Sequence, residues 1–269
     1  MKKLHLTAIG ILITCVMLFP LYWTITSSLE TNSQIFATRP YLIPPSLDLS
    51  AYGAALSTQL PHLLSSLIIA TGTTALCMVI SIPCAYAITH FGYRRITWLI
   101  VALLVSQMIP SVSLANALFI IFNKIGLLNN YFGLMLTDCT FSIPFNVLIL
   151  RAFMASIPKD ISEAAFVDGA GDWTTFIRII IPISKSSIIT AGLFAFLFGW
   201  GDFLFSVTMI TQNSIEPITV SLYGYISQYS QSWNEMMAAA VLASIPAAIL
   251  LILSQRYITA GMTSGSVKG

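Results

Sequence analysis

Six apolar runs, each long enough to cross a lipid bilayer, dominate the chain: residues 6–28, 62–89, 96–122, 131–153, 184–211 and 236–253, the last continuing to about Tyr257. An α-helix rises about 1.5 Å per residue, so roughly 20 apolar residues cross a hydrocarbon core about 30 Å thick. Inside that core the backbone must satisfy its own hydrogen bonds, and a helix does so within one segment. The expected fold is an all-α membrane protein with six transmembrane helices. Composition enters at one point. Only 8% of the residues are charged, against roughly 25% in a soluble domain, so the chain cannot cover a water-facing surface of its own.

The few charges are placed unevenly. Six spans put both termini on one side, and Lys2, Lys3, Arg94, Arg95, Arg151, Lys159, Arg178, Lys185, Arg256 and Lys268 then fall on that side, with Arg39 and Lys124 opposite. Ten cations against two predict that the richer side, with both termini, is cytoplasmic. The first run continues through Phe19-Pro20-Leu21-Tyr22-Trp23, with no small-residue cleavage site, and reads as an uncleaved span rather than a signal peptide. The expected organisation is a first span with an external, proline-bearing loop (1–61), a transmembrane domain (62–258) and a cytoplasmic tail (259–269). Pro83 is the expected kink in the second span.

Between the fourth and fifth runs lies a polar interruption, residues 156–182, too short and too polar to span. Pro158 and Asp160 suit the first turn of a helix. Ile157, Ile161, Ala164 and Ala165 form one narrow apolar stripe at helical spacing. Gly169 and Gly171 stop that helix, and Asp172 can cap a second one running to Ile181. The product is a helix–turn–helix elbow with a shallow alanine face, suited to docking in a partner's cleft.

Glu163-Ala164-Ala165, Gly169 after three intervening residues, and Ile179-x-Ile181-Pro182 after nine more resemble the signature loop of the integral-membrane permeases of bacterial ABC importers. Ile181 stands where that family usually has Leu. The resemblance implies a type I importer permease fold in the inner membrane, with the loop as a coupling helix on a cytoplasmic ATPase. Glu163, Ala164, Ala165, Gly169, Ile179 and Pro182 are then the coupling residues. The ending Ala260-Gly261-Met262-Thr263-Ser264-Gly265 through Lys268 is similar to the tail of the carbohydrate, maltose-type branch, with Met262 and Ser264 as departures. In that branch the tail reaches the ATPase interface, which assigns Gly261, Gly265 and Lys268. Pro44-Pro45-Ser46-Leu47 with Ser50-Ala51-Tyr52 resembles that branch's first external loop. The resemblance implies as partners a second, different permease chain, two ATPase subunits and an extracytoplasmic solute-binding protein, besides membrane lipid; no nucleic acid is expected.

Other chemistry is thin. Cys15, Cys77, Cys84 and Cys139 lie in or beside apolar runs at spacings that fit neither zinc nor a disulfide framework. No metal site and no catalytic set are expected. No Gly-x-x-x-x-Gly-Lys occurs, so ATP and Mg are expected on a partner ATPase and no cofactor on this chain. Gly199-Trp200-Gly201-Asp202 matches the Gly-x-Gly-Asp of intramembrane aspartyl proteases, which need a second facing aspartate; Asp138 is expected near the external end of its span. Trp200 to Phe205 also resembles a Trp-Asn-Glu/Asp-Phe segment of sugar permeases. An acid inside a span faces a cavity, a partner or a neighbouring helix, so Trp200 and Asp202 are the candidates for the pathway or a subunit interface. Tyr223, Tyr225, Tyr229 and Trp233 read as a membrane belt or loop packing. A permease for a sugar, or for a polyol or sugar phosphate, competes with a stand-alone secondary carrier, which would not need an ATPase dock.

Overall fold

Hydropathy finds where helices lie but not where they bend. The computed structural model describes residues 2–91, 96–212, 215–228 and 232–264, and every regular element among them is helical. In chain order these are α1 (Lys2–Ser28), α2 (Asn32–Ile35), α3 (Ser50–His90), α4 (Ile96–Ser106), α5 (Ser111–Lys124), α6 (Tyr131–Met154), α7 (Lys159–Val167), α8 (Asp172–Thr175), a π turn (Phe176–Ile180), α9 (Ile181–Ile183), α10 (Lys185–Gly201), α11 (Leu204–Met209), α12 (Ile218–Gln228) and α13 (Trp233–Ser264). Four helices are long and apolar enough to cross a membrane, or up to six if two bent pairs each count as one span.

The bends are where the sequence-based spans need correcting. The third expected span is two helices, α4 and α5, meeting at 97°. Pro110 has no N–H to continue the ladder and disfavours helix in the residue before it; it stands as the N-cap of α5. The fifth expected span is α10 alone, ending at Gly201, with the short α11 beyond a break at Asp202 and Phe203. α3 runs through Pro83, the expected kink, as one helix of 41 residues. It begins at Ser50, twelve residues before the expected start, because Asp48 Oδ1 accepts from Ser50 N at 2.8 Å and opens the helix from a loop. At about 1.5 Å per residue it is roughly 60 Å long, twice the hydrocarbon core.

The chain divides into two units, residues 1–64 with 218–246, and residues 65–217 with 247–269. In the first unit Ala51, Ala55, Tyr225, Ala238 and Ala239 form a small core. Polar side chains tie it together: Ser28 Oγ to Tyr52 OH at 2.6 Å, Gln59 Nε2 to Tyr225 OH at 3.3 Å and Ser221 Oγ to Gln59 Oε1 at 2.7 Å. Tyr225 is thus a packing residue, whereas Tyr223 is exposed; Tyr229 lies outside the described residues.

The second unit is a bundle of the later part of α3 with α6 and α10, joined by α4, α5 and α11. Helices in lipid gain little from apolarity and much from close packing, so small residues collect at their contacts. Ala85, Ala191, Ala195, Cys77 and Cys139 are buried here. A Cβ at Gly199 would lie 3.2 Å from the Ala70 Cα. Hydroxyls inside the helices bond back to carbonyls one turn earlier, as Thr74 does to Ala70 and Thr137 to Gly133, which leaves their donors satisfied in an apolar setting.

Candidate functional site

The elbow is built by local rules. Pro158 caps α7, and Asp160 occupies its first turn. At the other end Gly169 has φ +84°. Gly169 N donates to Phe166 O at 3.0 Å and Ala170 N to Ala165 O at 2.9 Å, the paired bonds of a Schellman stop. Glycine is required there by its backbone and not by space, since nothing lies within 4 Å of a Cβ built on it. Gly171, not Asp172, is the N-cap of the second leg; Asp172 is in its first turn. That leg runs through α8, the π turn and α9, then bends by 78° into α10. Pro182 supplies no N–H to the turn before it, and π turns of this kind accumulate at functional sites.

One face of the elbow is rooted in the bundle. Phe176 and Ile180 are buried with Tyr86, Leu150 and Met154, and Ile157 packs on the same cluster. Tyr86 stacks on His90 with centroids 5.0 Å apart and meets Phe176 at 4.7 Å; His90 in turn meets Phe166 at 5.7 Å. His90 Nε2 lies 3.7 Å from Asp172 Oδ1. The end of α3 therefore touches both legs. A cavity of about 260 Å3 remains between them, lined by Thr89, His90, Met154, Lys159, Ser162 and Glu163 among others.

The other face is open. Val167 is 88% and Trp173 70% exposed, flanking the Gly169 turn. Ile161, Glu163, Ala164, Gly169 and Pro182 are exposed as well, and Ile179 is half-buried. The stripe expected from spacing divides here: Ile161 and Ala164 point outward, while Ile157 and Ala165 turn into the protein with Ser162. Val167 and Trp173, which spacing alone did not single out, are the most exposed of the elbow's large apolar side chains. Their position beside a φ-positive glycine was the available signal. Of the tail residues, Gly261 lies on the backbone of α13, and Gly265 and Lys268 lie outside the described residues.

A second locus surrounds Asp202. Its carboxylate caps α11, accepting from Phe205 N at 3.1 Å, Ser206 N at 2.7 Å and Ser206 Oγ at 2.8 Å. Trp200 is buried and stacked on Phe196, with centroids 5.6 Å apart. Asp138, expected near a span end, is 3% exposed inside the bundle and accepts from Thr73 Oγ1 at 3.3 Å. Both acids line one cavity of about 350 Å3. The proximity of Asp138 was not readable from sequence, because α6 and α10 are far apart along the chain. Asp202 holds the start of α11 with both carboxylate oxygens, which is a structural use of the group.

An elbow between two helices of a membrane bundle, rooted inside and apolar outside, defines a membrane component that works against another protein. The chain belongs to the family of binding-protein-dependent transport system inner membrane components, whose profile matches residues 78–264. It is similar to the trehalose transport system permease protein SugB of Mycobacterium tuberculosis, 31% identical over 256 residues, 94% of this chain and 93% of that one. It is also similar to the trehalose/maltose transport system permease protein MalG of Thermococcus litoralis, 30% identical over 274 residues, covering 100% of this chain and 98% of the relative. Among solved structures, a bacterial ABC transporter involved in the import of the acidic polysaccharide alginate superposes with a TM-score of 0.81 at 20% identity, over 95% of each chain. The chain is a non-catalytic, multi-pass membrane permease subunit of an ABC importer, and ATP hydrolysis belongs to a separate subunit.

Proposed function

We propose that this chain forms half of the membrane pathway of an ATP-driven importer for a carbohydrate delivered by an extracytoplasmic binding protein. The observation that carries this reading is the elbow, an exposed apolar turn on a base packed into the bundle. The names of the related permeases, which move trehalose, maltose or alginate, support the carbohydrate class. The excess of Lys and Arg on the elbow's side supports a cytoplasmic elbow and cytoplasmic termini.

In this mechanism two ATPase subunits, using ATP and Mg, close and carry the elbows of this chain and of a second, different permease chain. The Val167–Trp173 turn, with Ala164 and Glu163 beside it, occupies the ATPase cleft. Gly169 keeps the turn tight. Tyr86, His90 and Phe176 pass the displacement to α3 as a rigid aromatic contact, and the bundle alternates between inward- and outward-facing states. α1 has none of its apolar window buried within this chain, which suits lipid or the second permease as its neighbour.

The test is recovery of the ATPase by the assembled permease from native membranes. Val167→Asp, at a position open to solvent, is expected to cut ATPase recovery and solute uptake by roughly tenfold or more, the scale of a contact hot spot. Its thermal unfolding in detergent should match the parent. Full recovery and full uptake by that variant would remove the elbow from the coupling role.

A further inference from the structure

The cavity beside Asp138 has a composition that the coupling role does not use. Its lining comes from α5, α6, α10, α11 and the link between the last two, with Ser111, Asp138, Phe141, Phe198, Asp202 and Phe203 among them. Its volume, about 350 Å3, falls in the roughly 300–1,000 Å3 range of small-molecule sites. Two broken helices meet at it. Ser111 begins α5 just after the 97° break, and Asp202 and Phe203 form the break between α10 and α11. Irregular backbone at membrane depth is tolerated where it lines a cavity, and transporter substrate sites are built at such discontinuities.

The walls offer two kinds of contact. Phe141 and Phe198 meet edge to face, with centroids 5.3 Å apart at 77°, and Phe203 and Phe205 add further ring surface. Such faces accept the C–H side of a sugar ring. Carboxyl oxygens accept its hydroxyl donors, and hydrogen bonds to a charged group are among the stronger ones. A metal ion is a poor match: among the described residues no group of three or more His, Cys, Asp or Glu converges, and most of the lining is apolar. Charge then selects among solutes. The charged residues among the described lining are both acids. An ionised carboxylate repels a second negative charge, and a protonated one still provides no counter-ion for it.

We infer that this cavity is a solute subsite for a neutral or positively charged polyhydroxylated ring, and that Asp138 with Phe141 and Phe198 excludes uronates and sugar phosphates. The inference rests on the permease reading and adds to it a charge rule carried by this chain. It separates the chain from its structural relative that imports an acidic polysaccharide.

The experiment is saturation-transfer NMR on the detergent-solubilised complex of this chain with its partner subunits. The probes are glucose, glucosamine and glucuronate, one ring shape in neutral, positive and negative form. Glucose and glucosamine are expected to bind, and glucuronate to bind at least about tenfold more weakly, the cost of one uncompensated charge contact. Asp138→Asn should narrow that ratio, and Phe198→Ala should weaken glucose by roughly tenfold. Phe141→Leu is the milder variant if Phe198→Ala lowers the unfolding temperature. Equal binding of all three probes, no binding of any, or ratios unmoved by Asp138→Asn would overturn the subsite. Failure of the chain to assemble with an ATPase would instead overturn the permease reading beneath it.

Discussion

α1 and α6 look alike in sequence and live in different solvents. Each holds a candidate span of 24 residues, yet none of the most apolar 18-residue stretch of α1 is buried within the chain, against 56% of that of α6. α1 exposes Leu12, Val16 and Met17, whereas α6 hides Leu134, Val147 and Leu150 completely. The difference lies in the polar residues. Thr14, Thr24 and Thr26 of α1 bond back along the helix itself, to the carbonyls of Gly10, Pro20 and Tyr22, and α1 reaches outward toward its end, through Tyr22 to Leu42 O and Ser28 to Tyr52 OH. On α6, Asp138 meets Thr73 of α3, and Asn146 Nδ2 reaches both Ser142 O and Cys77 Sγ. Polar groups that look outward from one helix toward another mark the face that packs, because an unpaired polar group in hydrocarbon costs several kcal/mol, about 2–7.

Matched substitutions break or sharpen this contrast. The largest effect is expected from Leu150→Ala, at a fully buried position, which should cost about 2–5 kcal/mol by the cavity it leaves. Met17→Ala, at a position 76% exposed, should cost under about 0.5 kcal/mol. Thermal unfolding of both variants in detergent compares them directly, and equal losses would erase the distinction. Next come the glycines. A Cβ at Gly133 would sit 2.1 Å from the Leu127 carbonyl oxygen, whereas nothing lies within 4 Å at Gly10. Gly133→Ala is expected to cost about 1–3 kcal/mol through forced backbone movement, and Gly10→Ala to be neutral or to gain up to about 1 kcal/mol. Membrane accumulation and unfolding midpoint read both. The smallest pair is Thr137→Val against Thr14→Val. Each hydroxyl bonds the carbonyl four residues earlier at 2.9 Å, so the local loss is equal. Both carbonyls keep their helix bond, so the difference rests on burial: losing the second bond at the fully buried Thr137 should cost about 1 kcal/mol more, read as a difference in urea or heat tolerance.

Outside the spans, two acids of the first unit titrate in opposite senses. Burial raises the Glu30 carboxyl above its ordinary range, so its share of stability is present at low pH and is lost as pH rises through the raised value. Asp48, held low by the Ser50 hydroxyl and backbone N–H, contributes above the ordinary carboxylate range and loses its share as pH falls through the depressed value. Glu30→Gln should therefore remove the fall in stability that sets in as pH rises from the ordinary carboxylate range through the raised value, and Asp48→Asn the fall that sets in as pH drops below that range. A curve unchanged by both would show that neither carboxyl titrates differently on folding.

Hydropathy and charge made the helices, their approximate limits and the elbow legible, because those depend on neighbours along the chain. The break at Pro110 was marked by a residue with a known defect, but a single proline did not say whether a helix would bend, as at 110, or continue, as at 83. The early start of α3 was hidden because Ser50–Pro61 is polar and belongs to a loop by composition; only the Asp48 cap signals it. α12, 11 residues between the fifth and sixth apolar runs, is too short to stand out as a span. Within the elbow, spacing identified an apolar stripe but not its direction, which is set by the bundle beneath Ala165. The joining of Asp138 with Asp202 depends on the packing of α6 on α10, which no local pattern encodes.

The π turn at Phe176–Ile180 stores a frameshift. An ordinary α-ladder of the same length would hold one residue fewer, and one residue corresponds to about 100° of rotation around the helix axis. Phe176 and Ile180, four residues apart, both face the bundle, and the wider turn takes up the extra residue between the elbow and α10. A one-residue deletion inside 176–180 would close the turn to an α-ladder and leave Trp173 and the Gly169 loop facing as they do, whereas the same deletion between the π turn and the Gly169 loop would swing that loop by about a quarter-turn relative to α10. The elbow is thus phased to its bundle by a single residue, and its surface is aimed by count as much as by chemistry.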